Sequence, residues 1–75
     1  MNEKKQYLME VGRVCRENRI EKGVTQRYLA RSLGVTEALI CHFEKGRANS
    51  IQLLMAYIDK GIVNVLDIPR YTRYL

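Results

Sequence analysis

Glycine interrupts this sequence at short intervals, and the stretches between the glycines carry helical periodicity. The glycines that follow such stretches are Gly23, Gly34, Gly46 and Gly61. Glycine ends helices at low steric cost because it adopts the left-handed backbone conformation. Strand patterns are almost absent between these glycines, so the sequence predicts an all-α fold built from short helices.

The first three helices are indicated by apolar spacing and by residues that start helices. The first is predicted from Glu3 to Lys22, because apolar side chains recur there at three- and four-residue steps. These side chains are Tyr7, Leu8, Val11, Val14 and Cys15. The second and third helices are predicted to start at Thr25 and Thr36, whose hydroxyls can accept a hydrogen bond from a free amide of the first turn.

The last part of the chain is less clearly helical. Asn49 and Gln52 have capping-box spacing and predict a fourth helix that ends at Gly61. Residues 62–68 then fit either a short fifth helix or a strand, because so short an apolar run matches both periods. We predict a compact single domain of five helices over residues 1–75, with a strand at 62–68 as the alternative to the fifth helix.

Composition narrows the class of protein. The 75 residues are 47% hydrophobic and 28% charged, which is typical of a folded domain and excludes a disordered chain. The 13 lysines and arginines exceed the 8 acidic residues and give a net charge of +5, so the field of so small a domain attracts polyanions, nucleic acid first. No stretch resembles a membrane span or a signal peptide, so we expect a cytoplasmic location.

Catalytic and metal-binding patterns are missing from the sequence. Cys15, Cys41 and His42 lack the spacing of a metal site or a disulfide framework. No glycine-rich phosphate loop, carboxylate pair or nucleophile with a histidine partner is present, so we predict no enzyme activity, no metal and no cofactor. Cys15 is expected in the core. Cys41 is expected to be exposed, but no resolving cysteine lies nearby for a redox switch.

Residues 25–45 have the features of a helix-turn-helix. The predicted second and third helices meet at Gly34, and Ala30 is small where they would cross. Ile40 and Phe43 would anchor the third helix to the core. At about 100° per residue, the opposite face of this helix carries Ala38, Cys41, His42 and Lys45. In a helix-turn-helix the second helix of the pair enters the major groove of DNA. Here that is the predicted third helix of the chain, and its outward face is short and polar enough for a groove.

One ordered pattern runs through and beyond this window. It reads Arg19-x-x-x-Gly23-Val24-Thr25-Gln26-x-x-Leu29-Ala30-x-x-Leu33-Gly34-Val35-Thr36, then Ile40-x-x-Phe43-Glu44-x-Gly46-Arg47. The pattern resembles the Cro and phage-repressor type of helix-turn-helix, the xenobiotic-response-element family, over roughly residues 8–67. The resemblance implies an ion pair between Arg19 and Glu44 and a phosphate contact by Gln26.

The resemblance also implies which residues meet DNA. The base-reading positions fall on Glu37, Ala38 and His42, and the phosphate-contacting edges on Thr36, Lys45 and Arg47. We add Arg27, which lies where phosphates should pass. Glu37 departs from the family's usual residues and would repel the DNA backbone unless it accepts a hydrogen bond from a cytosine amino group.

These features predict a sequence-specific regulator of transcription, a repressor or controller protein, that binds a palindromic operator in double-stranded DNA as a homodimer. We expect the dimerisation segment at 62–75, which supplies more apolar surface than so small a core can cover. The residues concerned are Ile62, Val63, Val65, Leu66, Ile68, Tyr71 and Tyr74. The alternative is a protein-interaction module of the same fold, an antitoxin or inhibitor, because Glu37 and Leu39 suit a protein partner better than phosphates.

Overall fold

The computed structural model describes residues 2–74, with side chains up to residue 72. The α-helices are α1 (Glu3–Glu21), α2 (Gln26–Leu33), α3 (Glu37–Glu44) and α4 (Ile51–Asp59). Two short 3₁₀ turns follow, Val65–Asp67 and Tyr71–Tyr74. No strand occurs within residues 2–74, so the predicted all-α fold is confirmed.

The prediction of a fifth helix is wrong, and so is the strand alternative. Within 62–68 the only regular element is the single 3₁₀ turn, which Asn64 caps by accepting a hydrogen bond of 2.9 Å from the N–H of Leu66. Ile68 is extended, with φ −73° and ψ 129°, because the ring of Pro69 disfavours helical backbone at the preceding residue. The turn therefore ends before a helical repeat can form, and the described chain contains four α-helices rather than five.

Hydroxyl side chains start the three shorter helices. Thr25 and Thr36 each accept a hydrogen bond from the amide three residues further on, at 3.0 and 3.1 Å, as predicted. The predicted cap of α4 at Asn49 is wrong, since Ser50 accepts the corresponding bond at 3.1 Å. Gly34 ends α2 in the left-handed conformation with φ 68°, which is the conformation that makes glycine suitable for this turn.

The apolar core draws on all four helices and on the segment after α4. Its buried side chains are Val11, Cys15, Leu29, Ala30, Ile40, Phe43, Leu53, Tyr57, Ile62 and Val63. The backbones of α1 and α3 touch at Gly12, where a Cβ atom would overlap the carbonyl oxygens of Phe43 and Glu44. This contact fixes one side of α3 against α1 and leaves the opposite side of α3 at the surface.

The segment predicted for dimerisation is divided between the core and the surface. Ile62 and Val63 are each 3% exposed, so the expectation that they form an intermolecular surface is wrong. They fill this chain's own core because the backbone turns inward directly after α4. Val65 and Leu66 remain 62% and 87% exposed. The ring of Tyr71 meets that of Tyr7 edge-on at 5.0 Å between centroids, while the side chain of Tyr74 lies outside the described part.

Candidate nucleic-acid interface

α3 has one buried side and one exposed side. Ile40 and Phe43 are 0% and 4% exposed and pack into the core. Only the residues 34–36 separate α3 from α2, and the two helices pack against each other. The exposed residues of α3 and its C-terminal cap are Glu37, Ala38, Leu39, His42 and Lys45. The structure thus places the three predicted base-reading residues on one solvent-facing side of a single helix.

The buried side of α3 ends in an ion pair. Nε and Nη2 of Arg19 donate to the two carboxylate oxygens of Glu44 at 2.7 and 3.0 Å. Nη1 of Arg19 donates to the backbone oxygen of Val24 at 2.7 Å. The side chains of Arg19 and Glu44 are 8% and 1% exposed, so the pair sits in a largely water-free environment. The structure brings together the two residues that the resemblance pairs, and their ion pair joins α1 to the end of α3.

Two further side chains complete this buried network. The hydroxyl of Tyr57, on α4, donates to Oε2 of Glu44 at 2.5 Å. Nε2 of Gln26, at the start of α2, donates to Oε1 at 3.1 Å. Glu44 is therefore bonded to α1, α2 and α4 at once, and within the described residues no buried side-chain nitrogen or oxygen lacks a partner. Sequence reasoning missed Tyr57, which lies on another helix 13 residues from Glu44.

The network changes the protonation equilibria of its members. Burial raises the pKa of the Tyr57 hydroxyl, and its hydrogen bond to Glu44 raises it further. The hydrogen bond to Glu44 also raises the pKa of Arg19. Tyr57 is consequently neutral and can donate to Glu44 throughout the physiological pH range, while Arg19 stays charged.

Gln26 was expected to contact a phosphate, and the structure gives its side chain an additional contact inside the protein. Its side-chain nitrogen is engaged with Glu44 and its side chain is half-buried. The amide nitrogen carries two N–H groups, so one donates to Glu44 and the second is left for another acceptor. Gln26 therefore belongs to the network that holds α3, and its phosphate contact stays a prediction.

A second ion pair joins α2 to α3 at the surface. Nε of Arg27 lies 3.5 Å from Oε2 of Glu37, and the two side chains are 71% and 51% exposed. Glu37 is the first residue of α3, directly after its cap Thr36. Two predicted DNA-contacting residues of opposite charge are thus neighbours.

Basic side chains border the C-terminal end of α3. Lys45 and Arg47 line a groove of about 940 Å³, together with Lys5 and Arg13 of α1. Arg13 is paired with Glu10 and Glu17, so its charge is offset. Lys45 and Arg47 are exposed and form no ion pair within the described residues. Lys5, which sequence reasoning missed, extends this basic border onto α1.

Other kinds of site find no support in the described part of the chain. It contains no cluster of three or more residues that could hold a metal ion and no helix with the length and apolarity to cross a membrane. Burial raises the pKa of the Cys15 thiol to about 12, so this thiol is unreactive at neutral pH. Cys41 is half-buried rather than fully exposed as expected.

Comparison with known proteins identifies no relative. No family model matches the chain, and neither the curated proteins nor the solved structures contain a significant match. What the chain does must therefore follow from its own fold, charge and surface.

Proposed function

We propose that this chain is a sequence-specific regulator of transcription that binds double-stranded DNA through a helix-turn-helix at residues 25–45. The observation that carries the proposal is the two-sided character of α3. Its inner side is fixed to three other helices through Glu44, while its outer side is exposed and bordered by the basic residues Lys45 and Arg47. A rigidly held helix with such a surface is what major-groove recognition requires.

The dimensions of α3 fit this role. The major groove of B-DNA is about 12 Å wide and admits one α-helix, whose diameter with side chains is about 10–12 Å. The exposed side of α3 carries the small Ala38 and the hydrogen-bonding His42 at its centre. Ala38 can contact a thymine methyl group, and His42 can donate to a guanine acceptor.

Charged residues around α3 suit the phosphates that flank a groove. Lys45 and Arg47 lie beyond its C-terminal end and Thr36 precedes its N-terminal end. Lysine and arginine side chains neutralise phosphates, which makes the affinity salt-dependent and positions the protein without reading sequence. The net charge of +5 favours the same partner.

The proposed regulator binds a palindromic operator as a homodimer and acts as a repressor or controller protein in the cytoplasm. Among the side chains described in 62–72, Val65 and Leu66 are the large apolar ones that stay mostly exposed, so we place the two-fold contact there. A symmetric dimer would read two half-sites about one helical turn apart. Sedimentation on operator DNA tests this point: a chain that remains a monomer on its operator would contradict it.

A protein partner is the second candidate, and one observation favours it. Tyr28 on α2 is 65% exposed and Leu39 on α3 is 36% exposed, so the outer surface of this helix pair also presents apolar area. An antitoxin or inhibitor of the same fold would use such side chains to bind a protein.

A gel-shift assay separates the two candidates. The purified chain is titrated against the DNA upstream of its own gene and against a scrambled duplex of equal length, at several salt concentrations. Tighter binding to the first duplex than to the scrambled one, with the logarithm of the binding constant falling linearly with the logarithm of salt concentration, supports the regulator. Absence of binding to either duplex at low salt would overturn the DNA proposal and favour the protein partner.

A further inference from the structure

The exposed ion pair between Arg27 and Glu37 has no evident role in the fold. Both side chains are more than half exposed, and their closest nitrogen and oxygen atoms lie 3.5 Å apart. An exposed pair of this kind adds little to stability, because water screens the attraction and two long side chains lose freedom. The pair nevertheless joins α2 to the N-terminal end of α3, the helix that is proposed to enter the groove.

The geometry of the pair leaves part of the Arg27 guanidinium available for a second contact. Only Nε of Arg27 faces the carboxylate, so the two terminal nitrogens of the guanidinium remain free to donate elsewhere. The carboxylate of Glu37 is held beside a positive charge, which offsets its repulsion from a nearby phosphate. One arginine can thus donate to a DNA phosphate while it orients Glu37.

An ionised carboxylate can only accept hydrogen bonds, and this restricts which base it can face in the major groove. Guanine presents two acceptors there and thymine presents one, so both would repel Glu37. Adenine presents an acceptor next to its donor. Cytosine presents its amino donor without an adjacent acceptor, and it is the base to which acidic side chains pair.

We propose that Glu37, oriented by Arg27, selects a cytosine in each operator half-site, and that Arg27 therefore contributes to sequence specificity as well as to phosphate binding. This inference rests on the proposed DNA-binding function. It distinguishes Arg27 from Lys45, which has no carboxylate partner in the described residues and contacts phosphate alone.

Selection from a randomised duplex library tests the inference even though the operator sequence is not known. The wild-type chain should enrich a site with a fixed cytosine in each half, and replacing that cytosine should weaken binding about ten-fold, which is about 1.4 kcal/mol. Glu37→Gln should lose the cytosine and enrich adenine at the same position, because glutamine donates to and accepts from adenine.

Arg27→Lys isolates the orienting role. Lysine keeps the positive charge but lacks a fork of donors that can serve a carboxylate and a phosphate together. This variant should keep its affinity for random DNA within about two-fold, whereas its preference for cytosine should fall several-fold. Glu21→Gln and Arg16→Lys make the same chemical changes at exposed positions of α1 and should leave the selected sequence unchanged.

The outcomes separate the inference from the function on which it rests. If Glu37→Gln selects the same sequence as the wild type while remaining folded by circular dichroism, the assignment of cytosine recognition is overturned and DNA binding stands. If Arg27→Lys keeps the full cytosine preference, its orienting role is overturned. If the wild-type chain enriches no sequence and retains no duplex at low salt, the DNA-binding function itself fails.

Discussion

The two sides of α3 differ in how many parts of the chain determine them. On the inner side, Glu44 is bonded to α1, α2 and α4, and its side chain is 1% exposed. On the outer side, Ala38 and His42 face solvent, and the one ion pair that this side forms within the described residues is Arg27–Glu37. The inner side therefore fixes where the helix lies, and the outer side is free to determine what it binds. Substitutions on the inner side should cost stability, and those on the outer side should change affinity alone.

The largest effect is expected from Arg19→Ala. Removing the arginine leaves the carboxylate of Glu44 buried without its ionic partner, which typically costs about 3–5 kcal/mol. For a domain of this size that corresponds to a fall in melting temperature of well over about 10 °C. Thermal unfolding followed by circular dichroism measures it. Arg16→Ala, at an exposed position of the same helix, is the control and should shift the melting temperature little.

Tyr57→Phe should have an intermediate effect. It removes the hydroxyl that donates to Glu44 at 2.5 Å while keeping the ring in the core. The loss of a hydrogen bond to a charged group is worth about 1.5–3 kcal/mol. Urea unfolding of the variant should show this decrease, while Tyr28→Phe, the same change at an exposed tyrosine, should leave the midpoint unchanged. Equal midpoints for the two variants would place the Tyr57 hydroxyl outside the network.

Alkaline pH should destabilise the core on which the inner side of α3 packs, because that core contains the Cys15 thiol. Burial raises the pKa of this thiol from its ordinary 9.0 to about 12. Above pH 9 the unfolded chain therefore releases a proton that the folded chain keeps, so stability is lost as pH rises from about 9 towards 12. The loss of stability reaches about 1.4 kcal/mol at pH 10. The free energy of unfolding should fall less between pH 8 and 10 in Cys15→Ala than in the wild type, and parallel curves would contradict the assignment.

The parts of the fold that depend on neighbouring residues were predictable from the sequence. Thr25 and Thr36 act as caps and Gly34 closes the turn because each makes its interaction within a few residues of the chain. The choice of Ser50 over Asn49 was not predictable, since both residues are good caps and tertiary packing decides between them. The prediction of a fifth helix was wrong because Asn64 and Pro69 limit the segment to one turn.

Contacts between residues that are far apart in the sequence could not be predicted from the spacing of apolar and capping residues. Gly12 carries no signal inside a helical pattern, yet its missing side chain lets α1 touch the backbone of α3. Tyr57 lies 13 residues from Glu44 and on another helix, so no local signal links them. Ile62 is apolar in the same way as Leu66, and only the course of the backbone determines that the first is buried and the second exposed. The ion pair between α2 and α3 likewise depends on how the two helices are placed.

The most direct measurement of the central claim is a binding titration of His42→Ala and Lys45→Ala on a selected operator and on a scrambled duplex, at two salt concentrations. Both variants should melt like the wild type. His42→Ala should lose about 1–3 kcal/mol on the operator and little on the scrambled duplex, since the proposal places His42 at the bases. Lys45→Ala should weaken both duplexes alike and reduce the salt slope by about one, since the proposal places Lys45 at a phosphate. If His42→Ala weakens both duplexes equally, or if the wild type binds neither at low salt, the outer side of α3 is not the surface that reads DNA.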